Sequence, residues 1–366
     1  MTQTKLNTGT RTHLPQAQAA CPVQRSAGQS FTGRGQRTHA APRTHAAGTL
    51  TSMATAGFMP AVAAHTEFSA PRATAMPYFS IIVPCRNSEA TLTATLDSLA
   101  AQTFQNWEAI FVDGGSTDRS LALLQDRAAR DPRIVIVSNP GQGPSAARNH
   151  AAFTVARGRI IAFCDADDIW SPEKLSQLHR FYLQNRAADG AYGQVAFFDE
   201  TPHDIRRQSQ VGKGALTVPA LLQDNPVCTL SNLSMRRDAF VAAGGFDEAM
   251  VQNADLDFLV RMIDGGAEIR GIADLQVWYR RTRSGLTSDL RAERTSRAQV
   301  LATAERLGYR TSDRAEARHL RRLARRALRV GAGPVRAMRL SLAGLALNPA
   351  GFISAPADDR PVAAAA

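Results

Sequence analysis

Four short apolar runs, each followed by a segment of helical length, constrain this chain more than any other feature. Each run has the length and apolar content of a buried strand, and the runs lie at residues 79–84, 107–112, 133–137 and 159–164. The segments between them carry apolar residues at helical spacing. Strands that alternate with helices predict an α/β fold built on a doubly wound, Rossmann-like parallel sheet.

Polar side chains follow three of these predicted strands. Arg86 and Asn87 follow the first strand, Asp113 follows the second, and Asp165 and Asp167 follow the fourth. Ligands of doubly wound sheets bind beyond the carboxyl ends of the strands. We therefore expect these side chains to contribute to one ligand site.

The acids after the fourth strand point to a divalent cation. Asp165, Asp167 and Asp168 crowd the end of a buried run, and carboxylates repel one another unless a cation lies among them. Magnesium or manganese suits such oxygen ligands. On an extended chain, Asp165 and Asp167 point the same way. The alternative is a solvated turn that caps the next helix, in part through Asp168.

Two glycine-containing loops also offer ligand contacts. Two glycines after Asp113 permit a tight turn and the close approach of a ligand. The Asp113 carboxylate then has two interpretations: it accepts a hydrogen bond from the imide of a pyrimidine base, or it only caps the turn. The segment 139–149 runs from a glycine-rich loop into a helix N-terminus, which suits an anion. Arg148 there faces a phosphate or a base, and Asn149 does the same or packs.

Charge is concentrated at the two ends of the chain. The net charge is +11, but residues 77–290 hold 21 basic and 25 acidic residues. A mildly acidic middle argues against a nucleic-acid-binding core. We predict three regions, namely a disordered basic tail at 1–75, an α/β domain at 76–290 and a basic helical extension at 291–366.

The helical extension has three interpretations. Its apolar residues, such as Leu323, lie on one helix face and its arginines, such as Arg322, on the other. The pair of helices either contacts an anionic membrane surface, caps the α/β domain with a solvated arginine face, or forms a homodimer. No run of 18 strongly apolar residues occurs, so a membrane-spanning helix is not expected.

The order of the motifs is more specific than any one of them. Together they resemble the family 2 glycosyltransferases, which have the GT-A fold with a mixed sheet. The resemblance covers residues 79–290 and implies an inverting transfer of a sugar from a nucleotide diphosphate sugar, commonly a UDP-sugar. The motifs are Ser-Ile-Ile-Val-Pro-Cys-Arg-Asn87, Phe-Val-Asp-Gly-Gly-Ser-Thr-Asp118, Pro-Ser-Ala-Ala-Arg-Asn149, Cys-Asp-Ala-Asp-Asp168 and Gly-Gly-Phe-Asp-Glu248.

The same resemblance implies a role for each site residue. Asp255 would be the general base that removes the acceptor hydroxyl proton, with Asp257 as the competing candidate. Asp165 and Asp167 would hold magnesium or manganese. Asp113 would contact the nucleobase, and Arg148 the base or the diphosphate. The full set that would contact the nucleotide sugar is Pro84, Arg86, Asn87, Asp113, Arg148 and Asp165.

Three positions depart from the family pattern. Gly114 stands where a second acid is usual, Ala254 stands where the family has a glutamate before the base, and Thr282 stands where a histidine is often found. Arg280, Arg281 or Arg283 would then contact the diphosphate, or be surface charge. A catalytically degenerate protein that binds a nucleotide sugar or a membrane surface is therefore the alternative to an enzyme.

Two further expectations concern the setting of the reaction. A nucleotidyltransferase of similar architecture is disfavoured, because residues 84–87 are not a glycine-rich, lysine-containing loop. The resemblance to family 2 glycosyltransferases implies a cell-envelope polysaccharide or glycolipid as acceptor. The expected location is the cytoplasm. The alternative is a peripheral position on the inner face of the cell membrane.

Overall fold

The computed structural model describes residues 75–202, 204–281 and 288–354. The predicted disordered tail lies outside these residues, except for Ala75. The described chain forms a nine-stranded mixed sheet with helices on both faces and a helical C-terminal region. This agrees with the predicted α/β class and with the GT-A arrangement that the resemblance implies.

The first half of the sheet is parallel. Its order is β3-β2-β1-β4, so β1 lies between β2 and β4 and pairs with both in parallel. Each strand is almost fully buried, as continuous runs of Ile, Val and Phe predict. The bounds are β1 Phe79–Cys85, α1 Glu89–Ala100, β2 Trp107–Asp113, α2 Ser120–Arg130, β3 Ile134–Ser138, α3 Gly143–His150 and β4 Ile160–Phe163.

The second half adds antiparallel pairs. β8 pairs antiparallel with both β4 and β6, β6 pairs parallel with β9, and β5 and β7 complete the edges. The bounds are β5 Ile169–Trp170, α4 Lys174–Gln184, β6 Gly190–Phe198, β7 Ile205–Gln208, α5 Val218–Asp224, β8 Leu233–Arg236, α6 Arg237–Ala242, α7 Ala254–Asp264 and β9 Ile269–Arg280.

The two faces of the sheet bury separate cores. Alternate side chains of β1 point to opposite faces, so Ile81 and Val83 pack in one core and Ile82 in the other. Helices α1, α2 and α4 cover the first core, and α3, α5, α6 and α7 cover the second. Helices therefore cover both faces of the sheet, and the carboxyl ends of the strands are where a ligand of such a fold binds.

The C-terminal helices pack on the α/β domain. They are α8 Leu290–Arg306, α9 Asp313–Arg329, α10 Pro334–Leu347 and α11 Pro349–Ile353. Helix α8 packs on α7, and α9 packs on α5. Arg318 and Arg322 of α9 donate to the two oxygens of Asp224 at 2.7 and 2.8 Å. These arginines are therefore structural contacts rather than members of a wholly solvated face. In the ranges that the structure describes, every helix is too short or too polar to cross a membrane.

We expect Asp224→Ala to loosen the packing of α9. The substitution leaves two arginines without their carboxylate, and Arg318 is only 9% exposed. The free energy of unfolding should fall by about 1–3 kcal/mol in urea denaturation. Asp126→Ala is the matched control, because Asp126 forms an exposed pair with Arg130 at 2.7 Å and should cost no more than about 0.5 kcal/mol. Equal effects of the two substitutions would contradict this account.

Candidate active site

The parallel pairing of β1 brings three strand ends to one edge of the sheet. In the β1–β2 register Cys85 lies beside Asp113, and β4 ends on the other side of β1. The residues predicted from these strand ends therefore lie along one edge, as expected. Pro84 is half-buried there, and Arg86 is exposed.

Asp113 shapes the turn after β2. Its carboxylate accepts hydrogen bonds from the Gly115 N–H at 3.1 Å, the Ser116 N–H at 3.2 Å and the Ser116 hydroxyl at 2.6 Å. Gly115 has φ +78°, which glycine adopts without strain. The turn-capping interpretation is thus confirmed. The nucleobase contact of Asp113 stays a prediction, and it would use the remaining lone pairs of the same carboxylate.

Asn87 ties the end of β1 to this turn. Its side-chain oxygen accepts from the Thr117 N–H at 2.8 Å, and its own N–H donates to the Ser116 hydroxyl at 3.1 Å. Asn87 has φ +51°, a conformation that asparagine tolerates better than most residues. The side chain of Arg86 runs beside Gly114, where an added Cβ would lie 3.5 Å from the Arg86 Cβ and Cδ atoms. The glycine that departs from the family pattern therefore leaves room along Arg86.

The acids after β4 lie in a turn. The Asp168 N–H donates to the Asp165 carbonyl at 3.2 Å, so the expectation of an extended chain through Asp165 and Asp167 is wrong. The chain must turn here because Ile169 and Trp170 form β5, which pairs with β9. The Ser231 hydroxyl accepts from the Asp165 N–H at 2.8 Å and holds the start of the turn.

Arg148 lies at the centre of the predicted acids. Its guanidinium donates to Asp165 at 2.5 Å, and the residue is only 7% exposed. It is also close enough to Asp167 and Asp255 to favour their ionised forms. Its Nε is buried without a hydrogen-bond partner in the described chain. A buried donor without a partner is costly unless a ligand accepts from it, and a diphosphate oxygen would do so.

The role of Asp165 and Asp167 as ligands of a divalent cation stays a prediction. Burial and then the neighbouring Asp165 carboxylate raise the pKa of Asp167 to about 6, so a cation beside the two carboxylates would favour the ionised form of Asp167. No set of three His, Cys, Asp or Glu side chains within the described ranges is placed to hold a metal ion. A metal with two carboxylate ligands, water and substrate phosphate oxygens matches this donor set, as magnesium commonly does.

The two candidate bases on α7 have different surroundings. Asp257 is buried and accepts from Arg261 at 2.8 Å, and the same guanidinium donates to the carbonyls of Ala243 and Gly245. Asp257 is therefore a structural carboxylate. Asp255 is half-buried, and burial raises its pKa against the opposing effect of Arg148. Of the pair, Asp255 is the carboxylate left open for chemistry.

Sequence reasoning missed a buried layer beneath the acids. Asp168 accepts from the Arg280 N–H at 3.1 Å, and Arg280 Nε donates to the Asp167 carbonyl at 3.1 Å. Lys174 is fully buried, with its Nζ 4.7 Å from the centre of the Trp170 ring, and burial lowers its pKa to about 7. Arg280 and Asp168 therefore stabilise the turn at Asp165–Asp168 from the protein interior. The motif Cys-Asp-Ala-Asp-Asp168 predicts an acid at position 168 but does not predict that its side chain is buried.

The C-terminal extension also reaches the site, which no local pattern indicated. Glu293 of α8 lies near enough to Asp255 to raise its pKa further, and Arg326 of α9 holds Glu293 at 3.3 Å. Arg326 also lies near Tyr279, whose pKa is raised by burial and then by Asp168 and Asp167. An acid from a separate helix is thus within electrostatic range of Asp255. Thr282 and Arg283 lie outside the described residues.

Asn149 packs rather than faces the ligand. Its amide donates to the Phe246 carbonyl at 2.8 Å and to Glu248 at 2.9 Å, and its oxygen accepts from the Phe246 N–H. Gly245, with φ +72°, allows this approach, since an added Cβ would lie 2.6 Å from the Asn149 oxygen. These bonds join α3, which carries Arg148, to the segment that leads into α7, which carries Asp255.

We expect Asp257→Asn and Asp255→Asn to differ in stability. Asp257→Asn breaks the pair with Arg261 and should lower the free energy of unfolding by about 1–3 kcal/mol. Asp255→Asn removes a charge that burial disfavours, so the change should stay below about 1 kcal/mol. Urea denaturation followed by circular dichroism at pH 7.5 measures both. A large loss for Asp255→Asn would make Asp255 a structural carboxylate.

Comparison with protein families agrees with this geometry. The model of glycosyl transferase family 2 matches residues 80–242. A PGL/p-HBAD biosynthesis glycosyltransferase of Mycobacterium bovis is 31% identical over 195 residues, which are 53% of this chain and 72% of that protein. An uncharacterized glycosyltransferase of Haemophilus influenzae is 37% identical over 132 residues, which are 36% of this chain and 52% of that protein.

Another relative and one solved structure extend the comparison. UDP-Glc:alpha-D-GlcNAc-diphosphoundecaprenol beta-1,3-glucosyltransferase WfgD of Escherichia coli is 38% identical over 135 residues, which are 37% of this chain and 49% of that protein. The match therefore spans about half the length of the Haemophilus and Escherichia proteins. The crystal structure of S. aureus TarS 1-349 in complex with UDP-GlcNAc shares the fold, with a TM-score of 0.50, 20% identity, and coverage of 74% of this chain and 72% of that chain. The chain belongs to glycosyltransferase family 2, and it is a glycosyltransferase with the GT-A fold.

Proposed function

We propose that this enzyme is an inverting transferase that moves a sugar from a UDP-sugar to a hydroxyl group of a cell-envelope polysaccharide or glycolipid. The observation that carries the proposal is the position of Arg148, buried among Asp165, Asp167 and Asp255 with its Nε lacking a partner. One cation between a metal-binding pair and a candidate base is the arrangement that a sugar diphosphate requires, because charge develops on the leaving diphosphate while the acceptor is deprotonated.

The names of the relatives support this choice of substrates. The Escherichia coli relative is named for transfer from UDP-Glc to a GlcNAc-diphosphoundecaprenol acceptor, and the TarS structure holds UDP-GlcNAc. We propose a UDP-sugar as donor and a lipid-linked or polysaccharide acceptor by this analogy. An enzyme with such an acceptor would work in the cytoplasm, peripherally at the inner face of the membrane.

Each site residue has a role in the proposed reaction. Asp113 and Arg86 would position the nucleoside, with Pro84 and Asn87 beside it. Arg148 would bind the diphosphate and offset its charge. Asp165 and Asp167 would hold a divalent cation, which supplies further stabilisation of the leaving group when bound.

Asp255 would act on the other side of the sugar. Burial gives its carboxylate a raised pKa, so it accepts a proton more readily than an exposed aspartate. The acceptor hydroxyl loses its proton to Asp255 as its oxygen attacks the anomeric carbon, and the bond to the diphosphate breaks. A single in-line displacement inverts the configuration at that carbon.

Nucleotide binding tests the donor half of the proposal. We expect calorimetry on the full chain to show binding of UDP in preference to GDP and CDP, strengthened by manganese. Arg148→Gln should weaken UDP binding about tenfold or more, because it removes the buried cation that meets the diphosphate. Arg130→Gln, on the exposed surface of α2, is the matched control. If the folded protein binds none of the three nucleotides, the assignment of a UDP-sugar as the donor is wrong.

Turnover tests the catalytic half. We expect Asp255→Asn to reduce transfer at least about a hundredfold while UDP affinity stays within twofold of the unmodified enzyme, since the base acts only in the transition state. UDP release from a panel of UDP-sugars, with a bacterial lipid extract as the acceptor source, measures the rate. Normal turnover by Asp255→Asn would remove Asp255 from catalysis. Nucleotide binding with no turnover by the unmodified chain on any donor would favour the degenerate binding protein.

A further inference from the structure

Exposed apolar side chains are concentrated at the C-terminal end of the described chain. Twelve large hydrophobic side chains are exposed among the described residues, and six of them lie within residues 328–353. Helices α9, α10 and α11 pack on one another, and a concentration of exposed apolar side chains on one packed unit indicates a contact with a partner or a membrane, whereas scattered ones do not. The six are Leu328, Val335, Met338, Leu342, Leu347 and Ile353. We call them the C-terminal apolar surface.

Helix α10 turns its large apolar residues away from the protein. Positions 335, 338 and 342 form one stripe of a helix, and their side chains are 57%, 57% and 58% exposed. The opposite stripe, which contains Ala337, Leu340 and Gly344, is buried. Gly344 lets the Phe352 ring pack closely, because an added Cβ would lie 2.4 Å from the ring. The helix thus exposes three large apolar side chains on the stripe opposite its buried residues, where an ordinary surface helix is polar.

The charged residues of α10 are all arginines, and Asp289 and Asp199 lie within electrostatic range of Arg336 and Arg329. Exposed arginines border the C-terminal apolar surface at Arg325 and Arg329 of α9 and at Arg336 and Arg339 of α10. Neither α10 nor α11 contains an acidic residue. Apolar side chains interleaved with arginines suit an interface of acyl chains and anionic headgroups.

We propose that the C-terminal apolar surface and its bordering arginines bind an anionic phospholipid bilayer peripherally. The proposal names the partner surface of the enzyme and rests on the proposed function only for the acceptor that would be met there. A two-fold dimer through the same surface would lay the arginines of one copy on those of the other without acids on α10 or α11 to offset them. Anionic headgroups offset those charges directly.

The same surface is connected to the active site through α9. Arg329 lies near Arg281 and Tyr279, and Tyr279 lies near Asp167. Arg326, one turn before Arg329, holds Glu293 beside Asp255. Helix α9 therefore carries both the bordering Arg329 and the Arg326 that pairs with Glu293.

Vesicle flotation of the full chain tests the proposal. We expect binding to phosphatidylcholine vesicles that contain 30% phosphatidylglycerol, and weak binding to pure phosphatidylcholine. The double variant Met338→Glu/Leu342→Glu should lose binding at least tenfold. The variant Arg336→Gln/Arg339→Gln should lose about tenfold and make the remaining binding less sensitive to salt. Leu183→Glu/Val241→Glu is the matched control, because these residues are 55% and 45% exposed on other helices, and it should bind normally.

Three results would overturn the proposal. They are absence of vesicle binding by the unmodified chain, an equal loss in the control variant, and a solution dimer that Met338→Glu/Leu342→Glu converts to a monomer in light scattering. Thermal melting and UDP calorimetry of each variant show that folding and donor binding persist. A failure of lipid binding with UDP binding intact therefore counts against this surface alone and leaves the proposed transferase reaction standing.

Discussion

The parallel pairing of β1 with both β2 and β4 is the constraint on which the site depends. A strand with parallel neighbours on each side brings three carboxyl ends to one edge, and both faces of this part of the sheet are buried by helices. The polar side chains at that edge cannot be buried in the apolar cores, so they face one another and the solvent. Hydrogen bonds of Asn87 with Ser116 and Thr117 join the turns after β1 and β2, and Asp113 accepts from Ser116 within the second turn.

Electrostatics decides what this edge can hold. Burial of the turn after β4 raises the pKa of Asp167, and burial of α7 raises that of Asp255, so positive charge nearby favours the ionised form of each acid. Arg148 supplies such a charge, and it is held by its pair with Asp165 and by the bonds of the neighbouring Asn149. The adjacent carboxylates Asp165 and Asp167 are the reason to expect a divalent cation, and the unpartnered Nε of Arg148 is the reason to expect an anionic ligand.

The C-terminal helices have two different faces. Toward the α/β domain, arginines are used as structural groups, with Arg318 and Arg322 on Asp224 and Arg326 on Glu293. Away from it, α10 exposes Met338 and Leu342 beside arginines that the fold does not bury. The sequence interpretations of a packed cap and of a membrane contact are therefore compatible, because they concern opposite sides of the same helices.

Local pattern was enough to predict the fold class, the strand order of the motifs and the residues at the strand ends, because buried parallel strands require continuous apolar runs and their ends must carry the polar groups. It was not enough for residues 200–228, where β7 is short and depends on its pairing with β6, and where α5 is only two turns long. Nor could it distinguish Asp255 from Asp257, which share a helical turn and differ only in the distant Arg148 and the nearby Arg261. The turn at Asp165–Asp168, the inward Asp168 and the approach of Glu293 to the candidate base depend on contacts across more than a hundred residues or between separate elements. Such contacts follow from packing in three dimensions, which residue spacing along one chain does not specify.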